Sequence, residues 1–202
     1  MLRQFFSRVP TLLLVGIGIG LMSLFALGPV VSNTAVAEVD SSRIEEIELG
    51  TISLAGLEDL FDSLDGSWRG RGQVTTGFGS GREETKTLRS RLRFDRPWRR
   101  DARWTWEEEL ERIEDRVTFL ENQAYFVRRD GMYLGGDTPH LRVDLVAAGA
   151  QAVIFEYSWS NPPNRSYRRE IKIQRNRFRG FDLMEKLYLR GQLLEVKQMT
   201  YE

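Results

Sequence analysis

The chain has 202 residues, with 29 Lys and Arg matched by 29 Asp and Glu, one His and no Cys. Net neutrality removes the broad positive field of a nucleic-acid binder, and the missing Cys removes a disulfide scaffold, a thiolate metal site, a Cys nucleophile and a lipidated-Cys anchor. The balance is uneven: the first 37 residues hold Arg3 and Arg8 and no acid, which leaves 27 basic and 29 acidic residues after them.

Residues 1–37 read as an export signal. A basic start up to Pro10 is followed by an uncharged apolar stretch from Thr11 to Val31 and by Ala35-Val36-Ala37, an A-x-A cleavage pattern. The expectation is general secretion into a periplasm, a lumen or the extracellular space. The alternative is a retained N-terminal membrane anchor, since about 20 apolar residues span a bilayer and Gly16 and Gly20 form a small-xxx-small face; Gly28-Pro29, just before the A-x-A, favours cleavage.

Residues 38–64 form an N-terminal segment. Its first part is acidic and aperiodic, and then Leu54, Leu57, Leu60, Phe61 and Leu64 recur at helical spacing before Asp65-Gly66, which predicts a short amphipathic helix. Residues 65–202 change to period two. In Leu88-Arg89-Ser90-Arg91-Leu92-Arg93-Phe94 the apolar residues and Ser90 share one face and three Arg take the other. Val153, Phe155, Tyr157 and Trp159 alternate in the same way, as do Leu141, Val143 and Leu145. Turn signals punctuate the chain at Asp130-Gly131, Asn161-Pro162-Pro163-Asn164 and Gly191. Residues 105–116 fit a strand entered at Trp104 and also a helix with a capping box at Thr105. Eight or nine short strands without long helices between them imply an antiparallel sheet that closes into a barrel or folds into a sandwich.

Most catalytic motifs can be rejected. Gly77-Phe78-Gly79-Ser80-Gly81 places its Ser one position late for a nucleophile elbow, and neither it nor Gly70-Arg71-Gly72 makes a phosphate-binding fingerprint. One His, His140, in a loop-like stretch, leaves no two-His metal site. No catalytic residue, metal ligand or cofactor is assigned. Arg outnumbers Lys by 25 to four. The run from Arg89 to Arg103 is read as a solvated face neutralised by Glu107, Glu108, Glu109, Glu111, Glu114 and Asp115. The later group Arg168, Arg169, Arg175, Arg177 and Arg179 has fewer acids nearby and is the candidate contact for an anionic membrane surface or an envelope protein.

The aromatics Trp104, Trp106, Tyr125, Tyr133, Phe155, Tyr157 and Trp159 fall on several predicted strands. A barrel of about eight strands either fills with such side chains or holds one small ligand. Gly66-Ser67-Trp68, after a short helix, resembles the G-x-W that opens the first strand of lipocalin-like (calycin) barrels. The resemblance implies an up-and-down barrel with Trp68 closing one end against Arg175, Arg177 or Arg179, and with the helix as a plug. Residues 93–99 and 128–134 more weakly resemble strand junctions of periplasmic lipoprotein-carrier half-barrels. Nitrobindin-like haem barrels start similarly, but their ligating His lies near the C-terminus, and nothing after His140 can serve. The expectation is therefore an all-β antiparallel barrel of eight or nine strands with a short N-terminal helix, exported, without chemistry of its own. It would bind or carry a small apolar or planar ligand through Trp68 and the aromatics named above, with no nucleic-acid partner. The alternative is a packed barrel that acts as an envelope assembly or interaction factor through its Arg-rich faces.

Overall fold

The computed structural model describes residues 51–97, 102–136, 138–160 and 165–202. The signal expected at residues 1–37 and the turn expected at 161–164 lie outside the described residues. Helix α1 spans Leu54–Ser63, capped by Ser53, whose hydroxyl accepts the Gly56 N–H at 3.1 Å. Its spacing puts Leu57, Leu60, Phe61 and the capping Leu64 on one face, and all four are buried.

Eleven strands follow: β1 Gly66–Thr76, β2 Glu84–Asp95, β3 Arg103–Arg112, β4 Thr118–Arg128, β5 Gly131–Gly135, β6 Pro139–Arg142, β7 Asp144–Ala148, β8 Ala152–Ser160, β9 Ser166–Arg175, β10 Phe181–Leu189 and β11 Gln192–Tyr201. They form one sheet in the order β6-β5-β4-β3-β2-β1-β11-β10-β9-β8-β7, and each named pair is antiparallel. The first strand thus pairs with the last at the centre of the sheet. At its ends, β6 and β7 are one stretch of chain bent at Val143: the first half pairs with β5, the second with β8, and the Val143 N–H donates to the Met132 carbonyl at 3.1 Å. That corner curls the sheet into a nearly closed barrel.

Eleven strands exceed the eight or nine expected. The break at Val143 divides one predicted strand in two, and β9, with Arg168, Arg169, Lys172 and Arg175 on it, was masked by its charge. The 105–116 ambiguity resolves as strand β3 up to Arg112, followed by a turn, because β2 and β4 hydrogen-bond to β3 on both sides over eight or more residues. The Asp130-Gly131 signal marks the β4–β5 hairpin, and Arg190 and Gly191, both at positive φ (52° and 82°), make the tight β10–β11 turn.

Burial divides the barrel along its axis. β2 alternates strictly between exposed and buried from Arg89 to Phe94. Residues 72–76 of β1, 167–170 of β9, 184–189 of β10 and 193–196 of β11 are instead all half-buried. Alternation survives where one face is covered by core and fades where solvent reaches both faces. The end near α1 is packed, and the opposite end is an open mouth.

Candidate functional site

The packed end is built from aromatic rings that meet mostly edge to face. Phe61 of α1 lies 5.7 Å from Phe94, 5.4 Å from Trp104 and 5.5 Å from Tyr125 between ring centres, and Trp106 touches Phe94, Tyr125, Phe181 and Tyr201 at 5.9–6.4 Å. Trp104, Trp106, Tyr125 and Phe155 are buried here, so α1 fills the space between them. Asp62 fixes the plug: it takes both oxygens to Arg96 Nη1 (2.9 and 2.7 Å), accepts the Trp104 indole N–H at 3.0 Å, and the Arg96 guanidinium lies 4.9 Å over the Trp104 ring. Trp68 stands at the same end, edge-on to Phe181 at 5.4 Å, and donates to the Leu64 carbonyl at 2.8 Å. The other expected aromatics are elsewhere. Tyr133 is on the outer face, its hydroxyl donating to Asp130 at 2.5 Å under Arg128, while Tyr157 and Trp159 face the mouth.

Below the mouth lies a layer of charge that crosses the barrel interior. Lys197 of β11 reaches Glu185 of β10 at 3.2 Å, Glu121 of β4 at 3.3 Å and Glu108 of β3 at 3.9 Å. Glu108 is 2% exposed and Lys197 5%. Ser90 and Tyr201 both donate to Glu108 Oε1, and the Trp106 indole donates to Oε2 at 3.2 Å. Two strands, β1 and β2, separate β11 from β3 in the sheet. The side chains of β11 span that gap because β1 presents Gly70 and Gly72 there: a Cβ on Gly70 would come 2.7 Å from the Tyr201 ring, and one on Gly72 would strike the Gln198 carbonyl.

The electrostatics follow from this crowding. Burial pushes the Glu108 carboxyl up, against the opposing pull of Lys197 and the two hydroxyls. Burial alone would lower the Lys197 ammonium, but Glu185, Glu121 and Glu108 outweigh it and raise it. For Glu185 burial is likewise outweighed, and Lys197 with Arg169 hold it below the ordinary carboxylate range. Glu195, nearer the mouth, is raised by burial.

Above this layer Trp159 stacks on Tyr167 across β8 and β9 (5.4 Å, 14°), with Tyr157 5.6 Å from Trp159. Arg169 points into the same space, 3.9 Å from Glu185 and 5.9 Å from the Trp159 ring centre. Val74 and Leu187 complete the wall, and like the three aromatics they are half-buried. The arrangement is an apolar and aromatic rim over an ionic floor.

The remaining candidates separate. Arg168 is turned outward, paired with Glu156 at 2.8 Å and lying over Tyr188. Arg175, Arg177 and Arg179 sit at the β9–β10 hairpin, and His140 is exposed. Arg89, Arg91 and Arg93 stand opposite Glu111, Glu109 and Glu107 in register, as a neutralised outer face requires. Glu108 departs from that reading: as the middle member of its run it has the opposite parity and points inward. Lys197, Glu185, Ser90 and Tyr201 were missed because single polar residues in apolar alternation carry no motif. Among the described residues no group of three or more His, Asp or Glu side chains is arranged to hold a metal ion.

No family model and no curated protein matches the chain. Among solved structures it is similar to a redesigned β-barrel, mFAP1, bound to DFHBI, with a TM-score of 0.34 and 10% identity over 70% of this chain and 98% of that one.

Proposed function

We propose that this protein is an exported, non-enzymatic barrel that binds or carries one small apolar or planar ligand, taken up through the mouth opposite α1. The observation that carries the reading is the half-buried, inward-facing set Tyr157, Trp159, Tyr167 and Leu187. Apolar side chains that face a barrel interior and still meet solvent are what a ligand covers. The aromatic rings around Trp104, Trp106 and Tyr125 are already packed against one another and against α1. They serve the ligand as a rigid base rather than as contacts. The ionic floor limits how deeply an apolar molecule descends, because displacing Lys197 from its carboxylates would strand buried charge.

Native mass spectrometry of the protein purified from its own compartment, with an organic extract of the same sample, tests the proposal. A stoichiometric small molecule, lost together with Trp159→Ala, is the expected result. An empty protein that also fails to take up apolar or planar fluorescent probes would sink the ligand reading and favour a packed barrel acting through its surface. The intact mass reports the N-terminus as well: a chain beginning at Glu38 is the outcome expected of a cleaved signal.

A further inference from the structure

The β9–β10 hairpin differs from the other turns in what it displays. Its tip, Arg175-Asn176-Arg177-Phe178-Arg179-Gly180, holds three Arg and no acid. Phe178 is 83% exposed, the highest value among the large apolar side chains of the described residues that are exposed. The tip is also fixed in shape. Asn176 Oδ1 accepts the N–H groups of Phe178 and Gly180 at 3.0 Å each, and the Asn176 N–H donates to the Gly180 carbonyl at 3.0 Å. Arg179 is held at φ 65°, a region that non-glycine residues rarely occupy and keep only where their surroundings dictate it. Gly180 anchors the tip to the barrel, since a Cβ there would run into the Tyr201 carbonyl.

A hairpin tip with one protruding aromatic ring set between cations offers little of the contiguous apolar area that the core of a protein interface needs. It suits a bilayer surface, where an aromatic ring settles at headgroup depth and guanidinium groups take phosphate oxygens bidentately. We infer that the β9–β10 tip is a membrane foot: Phe178 enters the headgroup region of an anionic phospholipid surface while Arg175 and Arg179 pair with its phosphates. The foot projects from the α1 end, so docking leaves the mouth pointing away from the lipid. This contact is independent of whether the mouth holds a ligand.

The absence of native Cys makes the test position-specific. Phe178→Cys and, at the opposite end, Gln192→Cys are labelled with a nitrobenzoxadiazole fluorophore and mixed with vesicles of phosphatidylcholine alone or of phosphatidylcholine with phosphatidylglycerol. A blue shift at position 178 on the anionic vesicles only, and none at 192, is expected; this readout separates the tip from any contact made by residues 1–37. In vesicle flotation, Phe178→Ala should lower partitioning about tenfold. Replacing Arg175 and Arg179 by Gln should lower it on the order of 25-fold, about fivefold for each cation. No shift at 178, an equal shift on phosphatidylcholine alone, a shift at 192 instead, or flotation indifferent to these substitutions would each overturn the inference.

Discussion

Lys197→Met removes the one ammonium that three strands supply with carboxylates, and Met keeps most of the apolar stem. In the parent, Lys197 lies 3.2 Å from Glu185, 3.3 Å from Glu121 and 3.9 Å from Glu108. Without it Glu185 retains Arg169 at 3.9 Å, and Glu108 retains only the neutral donors Ser90, Tyr201 and Trp106. Removing one partner of a buried ion pair destabilises by about 3–5 kcal/mol, mostly through the charge left behind. The pH dependence follows from the direction of each shift. In the parent, the Glu185 carboxyl is held below its ordinary value, so its stabilising contribution is present above the unfolded value and is lost as pH falls through the depressed one. Glu108 has the opposite sign: its raised carboxyl subtracts stability at neutral pH, and that penalty shrinks as pH falls. In the variant only Arg169 opposes burial at Glu185 and only neutral donors oppose it at Glu108, so both carboxyls move upward from their parent values. Urea unfolding at pH 7.5 should therefore show a loss of about 3–5 kcal/mol, a midpoint shift of roughly 1.5–2.5 M for a slope of about 2 kcal/mol/M. At pH 5 the loss should narrow to about 1–2 kcal/mol as the folded state takes up protons. An equal loss at the two pH values, or a loss under about 1 kcal/mol at pH 7.5, would refute the account of a charge-bearing interior.

Other substitutions test the remaining parts. Phe61→Ala empties the plug's contact with Phe94, Trp104 and Tyr125 and should cost about 3–5 kcal/mol, lowering the melting temperature on the order of 10 °C by calorimetry. Gly72→Ala forces a methyl group onto the Gln198 carbonyl and the Met199 sulfur, with an expected cost of about 1–3 kcal/mol in chemical unfolding; an unchanged midpoint would mean that β1 and β11 approach less closely than described. Asp62→Ala leaves Arg96 and the Trp104 indole without their acceptor and should speed amide exchange in α1 well before that of β2. Trp159→Ala with Tyr167→Ala should weaken uptake of a planar probe about tenfold while the thermal midpoint moves little, because both rings stand at the mouth.

Helix α1 was legible in the sequence because five apolar residues at helical spacing and a terminating Asp-Gly agree with one another. The strands were legible where one face is apolar, as along β2 and β8. β9 was not, since its inward residues run Tyr167, Arg169, Ile171, Ile173 and only the last two are core. β3 shows the same limit more sharply. Its inward residues are Trp106, Glu108 and Leu110, set among Glu107, Glu109 and Glu111. With an apolar residue at 108 the alternation would have excluded a helix at once; with Glu there, four acids in five positions read equally well as a solvated helix or a solvated strand.

What hides the element is also what marks the site. A buried carboxylate in the middle of a strand is costly unless its partners are assembled from elsewhere in the fold, and Glu108 draws them from β2, β11 and its own strand. Apart from Trp106, none of those partners is near it in sequence, and Lys197 follows it by 89 positions, so no local pattern could announce the pairing. The one local trace is Gly70-Arg71-Gly72, which fits no nucleotide-binding fingerprint. Its purpose is steric: two side chains are left out of the barrel wall so that Lys197 and Tyr201 can reach across the interior to Glu108. A glycine pair at period two within a strand, facing inward, is thus a pointer to long side chains arriving from the neighbouring strand, and in this barrel it locates the floor beneath the mouth.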